Sequence, residues 1–515
     1  MSSSVVAVSI FDLPKDTTAP CLLKILFLKL RVATYNRTRC RHVHRIYDLL
    51  KLIFYKNDMA KRKAPDGEPL QPLVPIRPPL SVLILYATGQ LGWSLGGYGV
   101  GNLLIYFYMP PEQGLPIFPS FLFQGSVLLV FTLIGILSSG GRLLDALIDP
   151  IVANWSDRSA SRLGKRRWFM LWGALPFALT GFLVFFPISQ GESASNFAWL
   201  ALMIGLYYFF FAFYVIPYTA LMAELGHTPA DRLRISTLTS IAWALGFILG
   251  NSVYAWQGIF EKQGYNSVQA FQISVALLNT VALIFMLLPA IFLREKRYAR
   301  QMETEHGIRT ALAVVFGNRN FRWFLASDLM YWLALTFIQL GVVFYTTLLL
   351  DLDKGYAFQF SLVSFLCSFA FYWPVNVLAR KVGKKRLMLL AFVLFAIVFA
   401  LVSVANILPF PPDILLYALG VAAAFPLAVF GILPNAVIGD EVEKEERNSG
   451  QQMSGMFFGV RAFVMKVGIS LSNLIFPSLL LFGKSTDQPF GVQLTALAAI
   501  VFCVIGWSVF RKYKE

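Results

Sequence analysis

The stretch SSGGRLLDALIDPIVANWSDRSASRLGKRRW, residues 138–168, continues an apolar run that begins near Phe121, yet it places Arg142, Asp145 and Asp149 inside that run. Basic residues then crowd in: Arg158, Arg162, Lys165, Arg166 and Arg167. An apolar segment that carries three ionisable groups and ends in a cationic loop reads as a membrane-crossing helix with one polar face.

The composition agrees with that reading. The chain has 515 residues, 57% hydrophobic and only 14% charged, with a mean hydropathy of +0.63. A soluble protein carries roughly a quarter charged residues. Many separate apolar runs exceed the ~20 residues needed to cross a hydrocarbon core. A β-barrel is excluded, because its strands are ~10 residues long and alternate in polarity. The net charge of +16 belongs to loops that set membrane orientation, not to nucleic-acid binding. Cys21, Cys40, Cys367 and Cys503 are scattered and form neither a metal-ligand spacing nor a disulfide framework.

Twelve spans are expected, at about 80–108, 122–153, 168–187, 196–224, 234–256, 271–293, 321–350, 357–379, 386–406, 412–438, 455–483 and 488–510. The loops after spans 2, 6 and 8 are rich in Lys and Arg, whereas the opposite loops hold only Lys262, Lys354 and Lys484. By the positive-inside rule, both termini are then cytoplasmic. RLGKRR at 162–167 is echoed by KVGKKR at 381–386, each after the second helix of a six-helix half. Repeated halves are a common plan of secondary transporters. The expected organisation is an N-terminal basic extension (1–78), a six-helix bundle (79–293), a cytoplasmic linker (294–320) and a second bundle (321–511).

The extension reads as a poorly ordered tail. RIYDLLKLIFYK, 45–56, is alternatively an amphipathic surface helix, and translation from Met59 is a further possibility. CLLKILFLKL, 21–30, is too short and too charged to span.

Arg142, Asp145 and Asp149, spaced three and four apart, share one helix face. With span 2 ending near residue 154, Asp145 lies about 13 Å and Asp149 about 7 Å from the cytoplasmic end. A charge near mid-membrane costs ~2.5–3.5 kcal/mol and usually marks an aqueous cavity, a partner or an ion path. Two readings stay open. Arg142 could simply neutralise Asp145, with Asp149–Pro150 closing the helix. Alternatively, the two carboxylates form a site whose affinity changes with protonation. Lys466, central in span 11, reads as a cavity-facing counter-charge or substrate contact. Asp328 reads as an interfacial anchor. LYYFFFAFYVIPY, 206–218, is mostly packing, with Tyr218 beside the kinking Pro217 its best cavity candidate.

DALIDPIVANWSDRSASRLGKRRWF (145–169), VIPYTALMAEL (215–225) and NSGQQMSGMFFGVRAFVMKVG (448–468) together resemble the glycoside–pentoside–hexuronide:cation symporters, the melibiose-permease-like branch of the major facilitator superfamily. The resemblance covers about residues 80–510. It implies an all-α, twelve-helix major facilitator fold working by alternating access. It implies Asp145 and Asp149 as the cation site, with Lys466 supporting the cation and substrate site; Arg142 and Tyr218 join Lys466 as substrate-cavity candidates from their own positions. Asp157, Arg158, Arg162, Gly164, Lys165, Arg166 and Arg167, with Gly383 and Lys384 of the repeat, would form the cytoplasmic gate. No cofactor is implied beyond a coupling H⁺ or Na⁺. The partners are a small solute, that cation and the lipid bilayer; the protein is expected as a monomer in a bacterial inner membrane.

The chain departs from the melibiose-type pattern at Ser94, Val215 and Thr239, where charged residues stand, and at Ile148 and Ala212, where polar ones stand. Na⁺ wants several oxygen ligands, whereas a proton needs one carboxylate, so proton coupling is favoured over sodium. The lost sugar ligands keep a lysolipid-like amphiphile open as a second cargo. A non-transporting sensor is the reading of a different class. An enzyme is not indicated: there is no Walker loop or nucleophile elbow, and His42, His44, His227 and His306 fall in loops or the tail.

Overall fold

The computed structural model describes residues 76–127, 130–300, 317–449 and 454–514. The readings placed on 1–75, and on most of the linker 294–320, lie outside the described residues.

Among the described residues, twelve long helices follow one another. α1 is Leu80–Tyr98, α2 Leu133–Asp157, α3 Lys165–Leu183, α4 Ala194–Leu225, α5 Pro229–Lys262 and α6 Ser267–Phe292. α7 is Arg319–Phe344, α8 Tyr356–Val382, α9 Lys384–Ser403, α10 Pro412–Ser449, α11 Ser454–Leu479 and α12 Phe490–Phe510. Among the described residues, nine helices are long and apolar enough by composition alone to cross a membrane. α2 is not one of them, because Arg142, Asp145 and Asp149 interrupt its apolar run.

Local sequence explains the helix starts. The side chains of Thr132, Ser193, Thr228 and Asn266 accept from the backbone N–H groups of Gly135, Asn196, Asp231 and Gln269, which caps α2, α4, α5 and α6. α2 begins at Leu133 rather than near 122. Pro110, Pro111, Pro116 and Pro119 break the helical pattern, and 109–132 instead forms two short antiparallel pairings, Glu112–Gln113 with Leu115–Pro116 and Ser126–Val127 with Phe131–Thr132. Apolar residues in this loop (Phe118, Phe121, Leu122) are buried against the bundle, which made the loop read as a span.

The RLGKRR/KVGKKR echo has a structural counterpart. Gly164 and Gly383 precede α3 and α9 with φ of 118° and 93°, a backbone region that is essentially glycine's alone. A Cβ on Gly164 would also come within 2.3 Å of a Glu295 carboxylate oxygen. α1 and α7 match too: each continues into a π turn, at Gly99–Leu103 and Tyr345–Leu349.

The helix pairings recur between the halves. α1 packs on α5 and α6 as α7 packs on α11 and α12; α2 on α4 as α8 on α10; α3 on α4 and α6 as α9 on α10 and α12. The halves meet through α2 against α11 and α5 against α8, the latter through the rings of Trp243, Phe247 and Phe365.

Further bonds join the halves at the end that carries loops 109–132, 350–355 and 483–489. Lys484 Nζ lies 2.8 Å from Glu112 and donates to Gln124 at 2.5 Å. The Glu112 backbone N–H donates to Lys484 O at 2.9 Å, and Thr486 N–H donates to Glu112 O at 3.1 Å. Gln113 donates to Thr347 O at 2.7 Å. Lys354 pairs with Glu261 at 2.5 Å, and Glu261 accepts from Gln257, which accepts from Tyr106 of the short helix Leu104–Tyr108.

Candidate functional site

Asp145 sits at the thirteenth of the twenty-five residues of α2, fully buried. Arg142, one turn earlier, reaches it at 3.3 Å. From the other half, Lys466 of α11 lies 2.9 Å from Asp145 and 2.5 Å from Asp149. One ammonium therefore holds both carboxylates across the divide. The same helix pair is stitched again one turn away, where Ser470 Oγ lies 2.8 Å from Ser139 Oγ and 3.0 Å from its carbonyl. A Cβ on Gly135 would crowd Pro477 and the Leu474 carbonyl, so the two helices approach closely there.

The cluster is balanced, with two cations and two anions, but it is not saturated. Asp145 Oδ1, Asp149 Oδ1 and Arg142 Nε are buried without a protein partner. The Arg142 guanidinium also lies 5.9 and 5.7 Å from the ring centres of Tyr208 and Phe211, a cation–π setting.

Arg142 lines a cavity of about 160 Å³ between the halves. The first half contributes Trp93, Ser94, Tyr98 and Asn102 from α1 and its π turn, Tyr207, Tyr208 and Phe211 from α4, and Trp243 and Phe247 from α5. The second contributes Trp332, Thr336 and Gln339 from α7, and Met465, Ile469 and Asn473 from α11. Five lining residues keep a buried polar atom without a protein partner: Trp93 Nε1, Tyr98 OH, Arg142 Nε, Trp332 Nε1 and Asn473 Oδ1. Aromatic walls with a few polar side chains are the usual make-up of a small-molecule site.

Arg142, Asp145, Asp149 and Lys466 are thus brought together. Tyr218 is placed elsewhere. Its hydroxyl donates to Tyr86 O at 2.9 Å, Tyr86 returns a bond to Tyr218 O at 2.8 Å, and the rings stack at 4.3 Å. It clasps α4 to α1 and is not among the residues lining the cavity. Asp328 is buried and held by two bonds from Arg461, at 2.9 and 3.1 Å.

The basic-loop residues tie helices within one half. Arg166 is buried and bonds Glu224 at 3.0 Å, Ser156 at 2.8 Å and Asp157, while its backbone N–H donates to Glu295 at 3.0 Å. Lys165 lies 3.4 Å from Glu224. Arg167 donates to the Ala290 and Ile291 carbonyls. Arg158 and Arg162 are exposed. Lys384 pairs with Asp440 of α10 at 2.6 Å. Among the described residues, no group of His, Cys, Asp and Glu is arranged to hold a metal ion.

The tryptophans, Gln339 and Asn473 escaped the sequence reading. A usable signal existed for Asn473, which lies seven residues after Lys466 and so on the same helix face.

The sequence profile of the MFS/sugar transport proteins matches residues 85–509. The isoprimeverose transporter of Lactiplantibacillus pentosus is 23% identical, covering 67% of this chain and 71% of that protein. The sodium-dependent lysophosphatidylcholine symporter 1 of Xenopus tropicalis is 20% identical, covering 84% and 86%. Among solved structures, a D-xylose–proton symporter superposes with a TM-score of 0.62 at 14% identity, covering 85% of this chain and 98% of that one. With this profile spanning most of its length and the major facilitator fold in place, the chain belongs to the MFS/sugar transport protein family of multi-pass membrane transporters.

Proposed function

We propose that this protein is a cation-coupled symporter of a small sugar-like solute, working by alternating access, with a proton as the coupling ion. The observation that carries the reading is Lys466, which reaches across the halves to Asp145 and Asp149 while each carboxylate keeps one buried oxygen without a protein donor. A cation arriving at those oxygens competes with Lys466, so ion binding and the contact between halves are coupled. Ile148, Ala212 and Val215 offer no side-chain oxygen, which favours a proton over a sodium ion needing several ligands.

The bonds between loops 109–132, 350–355 and 483–489 support alternating access. They describe a state closed at the end opposite the basic loops, which is the outer face if the basic loops are cytoplasmic. The cargo reading follows the family and the cavity: about 160 Å³ lies below the ~300–1,000 Å³ of drug-sized sites and suits a single ring.

The lysolipid relative motivates a second reading, an amphiphile as cargo.

Uptake into proteoliposomes under an imposed pH or Na⁺ gradient tests the proposal. Sugar accumulation that follows the pH gradient and disappears in Asp145→Asn is the expected result. Accumulation that follows only Na⁺ would overturn proton coupling. Uptake of a radiolabelled lysolipid in place of any sugar would move the assignment to the second reading.

A further inference from the structure

Among the described residues, three carboxamide side chains line the cavity: Asn102 on the π turn that ends α1, Gln339 on α7 and Asn473 on α11. They differ in what they leave open to a ligand. Asn473 is buried and its Oδ1 is sealed off. Asn102 and Gln339 are half-buried, and none of their amide atoms is among the sealed ones. Asn102 Nδ2 donates to Tyr98 O at 3.4 Å, which leaves its Oδ1 free. Gln339 makes no hydrogen bond to any described residue. Two further polar side chains of the wall are already engaged: Ser94 accepts from Gln90 at 3.0 Å, and Thr336 donates to Trp332 O at 2.7 Å.

The two open amides are also paired in position. α1 and α7 both run toward the end that carries loops 109–132 and 350–355. Asn102 follows Trp93, Ser94 and Tyr98 along the first chain segment, and Gln339 follows Trp332 and Thr336 along α7. Each is thus the outermost lining residue of its segment. The π turn that carries Asn102 packs against α7, across the divide between the halves. One accessible carboxamide from each half therefore stands at the same end of the cavity. A carboxamide offers an acceptor oxygen and two N–H donors. Neighbouring hydroxyls on a sugar ring match it, one donating to the oxygen and the next accepting from the nitrogen. Trp93, Trp243 and Trp332 supply apolar walls for the faces of such a ring.

From these observations we infer that Asn102 and Gln339 are the specificity-determining residues of the cavity, one carboxamide from each half, which together read the hydroxyls of a single sugar ring held between the halves. The inference rests on the symporter reading and adds to it the groups that tell one hydroxyl pattern from another.

The test is a deoxy-sugar series on the full chain in detergent. Glucose, galactose and xylose are titrated by thermal midpoint and by tryptophan fluorescence. The tightest is then compared with analogues in which one hydroxyl at a time is replaced by hydrogen. The unmodified protein should lose severalfold to about tenfold in affinity at each hydroxyl that meets an amide, the value of one neutral hydrogen bond. Gln339→Met keeps the length of the side chain and removes its polar atoms. It should weaken the parent sugar by that factor and erase the penalty at the hydroxyls Gln339 meets. Asn102→Ala should do the same at a different hydroxyl. Should Gln339→Met not fold, Gln339→Glu, which keeps an acceptor and loses both donors, reads the same position. Penalties unchanged in both variants would overturn the inference, as would a uniform loss across the whole series, which marks a structural effect. A penalty erased by only one of the two variants would overturn the pairing across the halves. Proteoliposome uptake separates the two levels. Cation-driven sugar uptake that both variants leave unchanged keeps the symporter and removes this pair. Neither binding nor uptake of any sugar by the unmodified protein removes both.

Discussion

Lys466 donates to Asp149 at 2.5 Å although the two residues belong to different halves of the molecule. The same ammonium is 2.9 Å from Asp145. In the proposed symporter this side chain would be at once the counter-charge of the cation site and a bond between the two halves.

Removing that ammonium should destabilise the protein strongly. Lys466→Ala leaves Arg142 alone against two carboxylates, and breaking a buried ion pair typically costs about 3–5 kcal/mol. Asp149 keeps about a quarter of its side-chain surface exposed (26%), which trims the loss. The thermal midpoint should fall by several degrees. Adding Asp149→Asn should recover part of it, because one excess negative charge is removed. An unchanged midpoint in Lys466→Ala would show that the pair carries no net stability.

The outer contacts should behave as a latch. Lys354→Gln with Lys484→Gln removes both inter-half ion pairs at that end and leaves the central cluster untouched. A cysteine placed at the cavity position Thr336 should then react faster with a membrane-impermeant thiol reagent applied from the side of loop 483–489. Cys21, Cys40 and the partly exposed Cys367 are replaced in the background, while Cys503 is buried. Equal labelling rates would deny these pairs any role in closing that end.

The two repeated glycines should differ in sensitivity. Gly383→Ala meets backbone strain of about 1–3 kcal/mol. Gly164→Ala meets comparable strain plus the Glu295 carboxylate, 2.3 Å from the new Cβ, and that carboxylate also holds the Arg166 and Arg167 backbone N–H groups. Gly164→Ala should therefore give the larger drop in thermal midpoint. The reverse order would contradict this account of the 164–167 turn.

Tyr218→Phe separates a packing role from a binding one. It removes one of the two reciprocal hydroxyl-to-carbonyl bonds that Tyr218 and Tyr86 exchange between α4 and α1 but keeps the stacked rings. Stability should fall by about 1 kcal/mol, with ligand affinity unchanged. A tenfold loss of affinity at unaltered stability would return Tyr218 to the substrate site.

The fold and the central charges were legible for one reason: an ionisable group inside an apolar helix is expensive and therefore conspicuous. Arg142, Asp145, Asp149 and Lys466 stood out by that contrast. Their mutual geometry did not, because nothing local says that α11 lies against α2. Trp93, Trp243 and Trp332 were invisible as site residues, since an aromatic ring serves equally well in lipid, in packing and in a cavity. Tyr218 was misplaced for the same reason. The start of α2 was set too early because the buried apolar residues of 118–122 mimic a span, and only the prolines around them argue otherwise.

The crossing lysine also bears on how the protein is made. Before the halves dock, the first half holds Arg142 against two aspartates, one negative charge too many. The second holds Lys466 with its partners still missing. Each half is thus electrostatically incomplete in the bilayer until the other arrives. Such a half would be held back as an assembly intermediate, and a truncated product ending after α6 should be degraded rather than accumulate. The same inter-half ion cluster would then act in assembly as well as in the proposed transport.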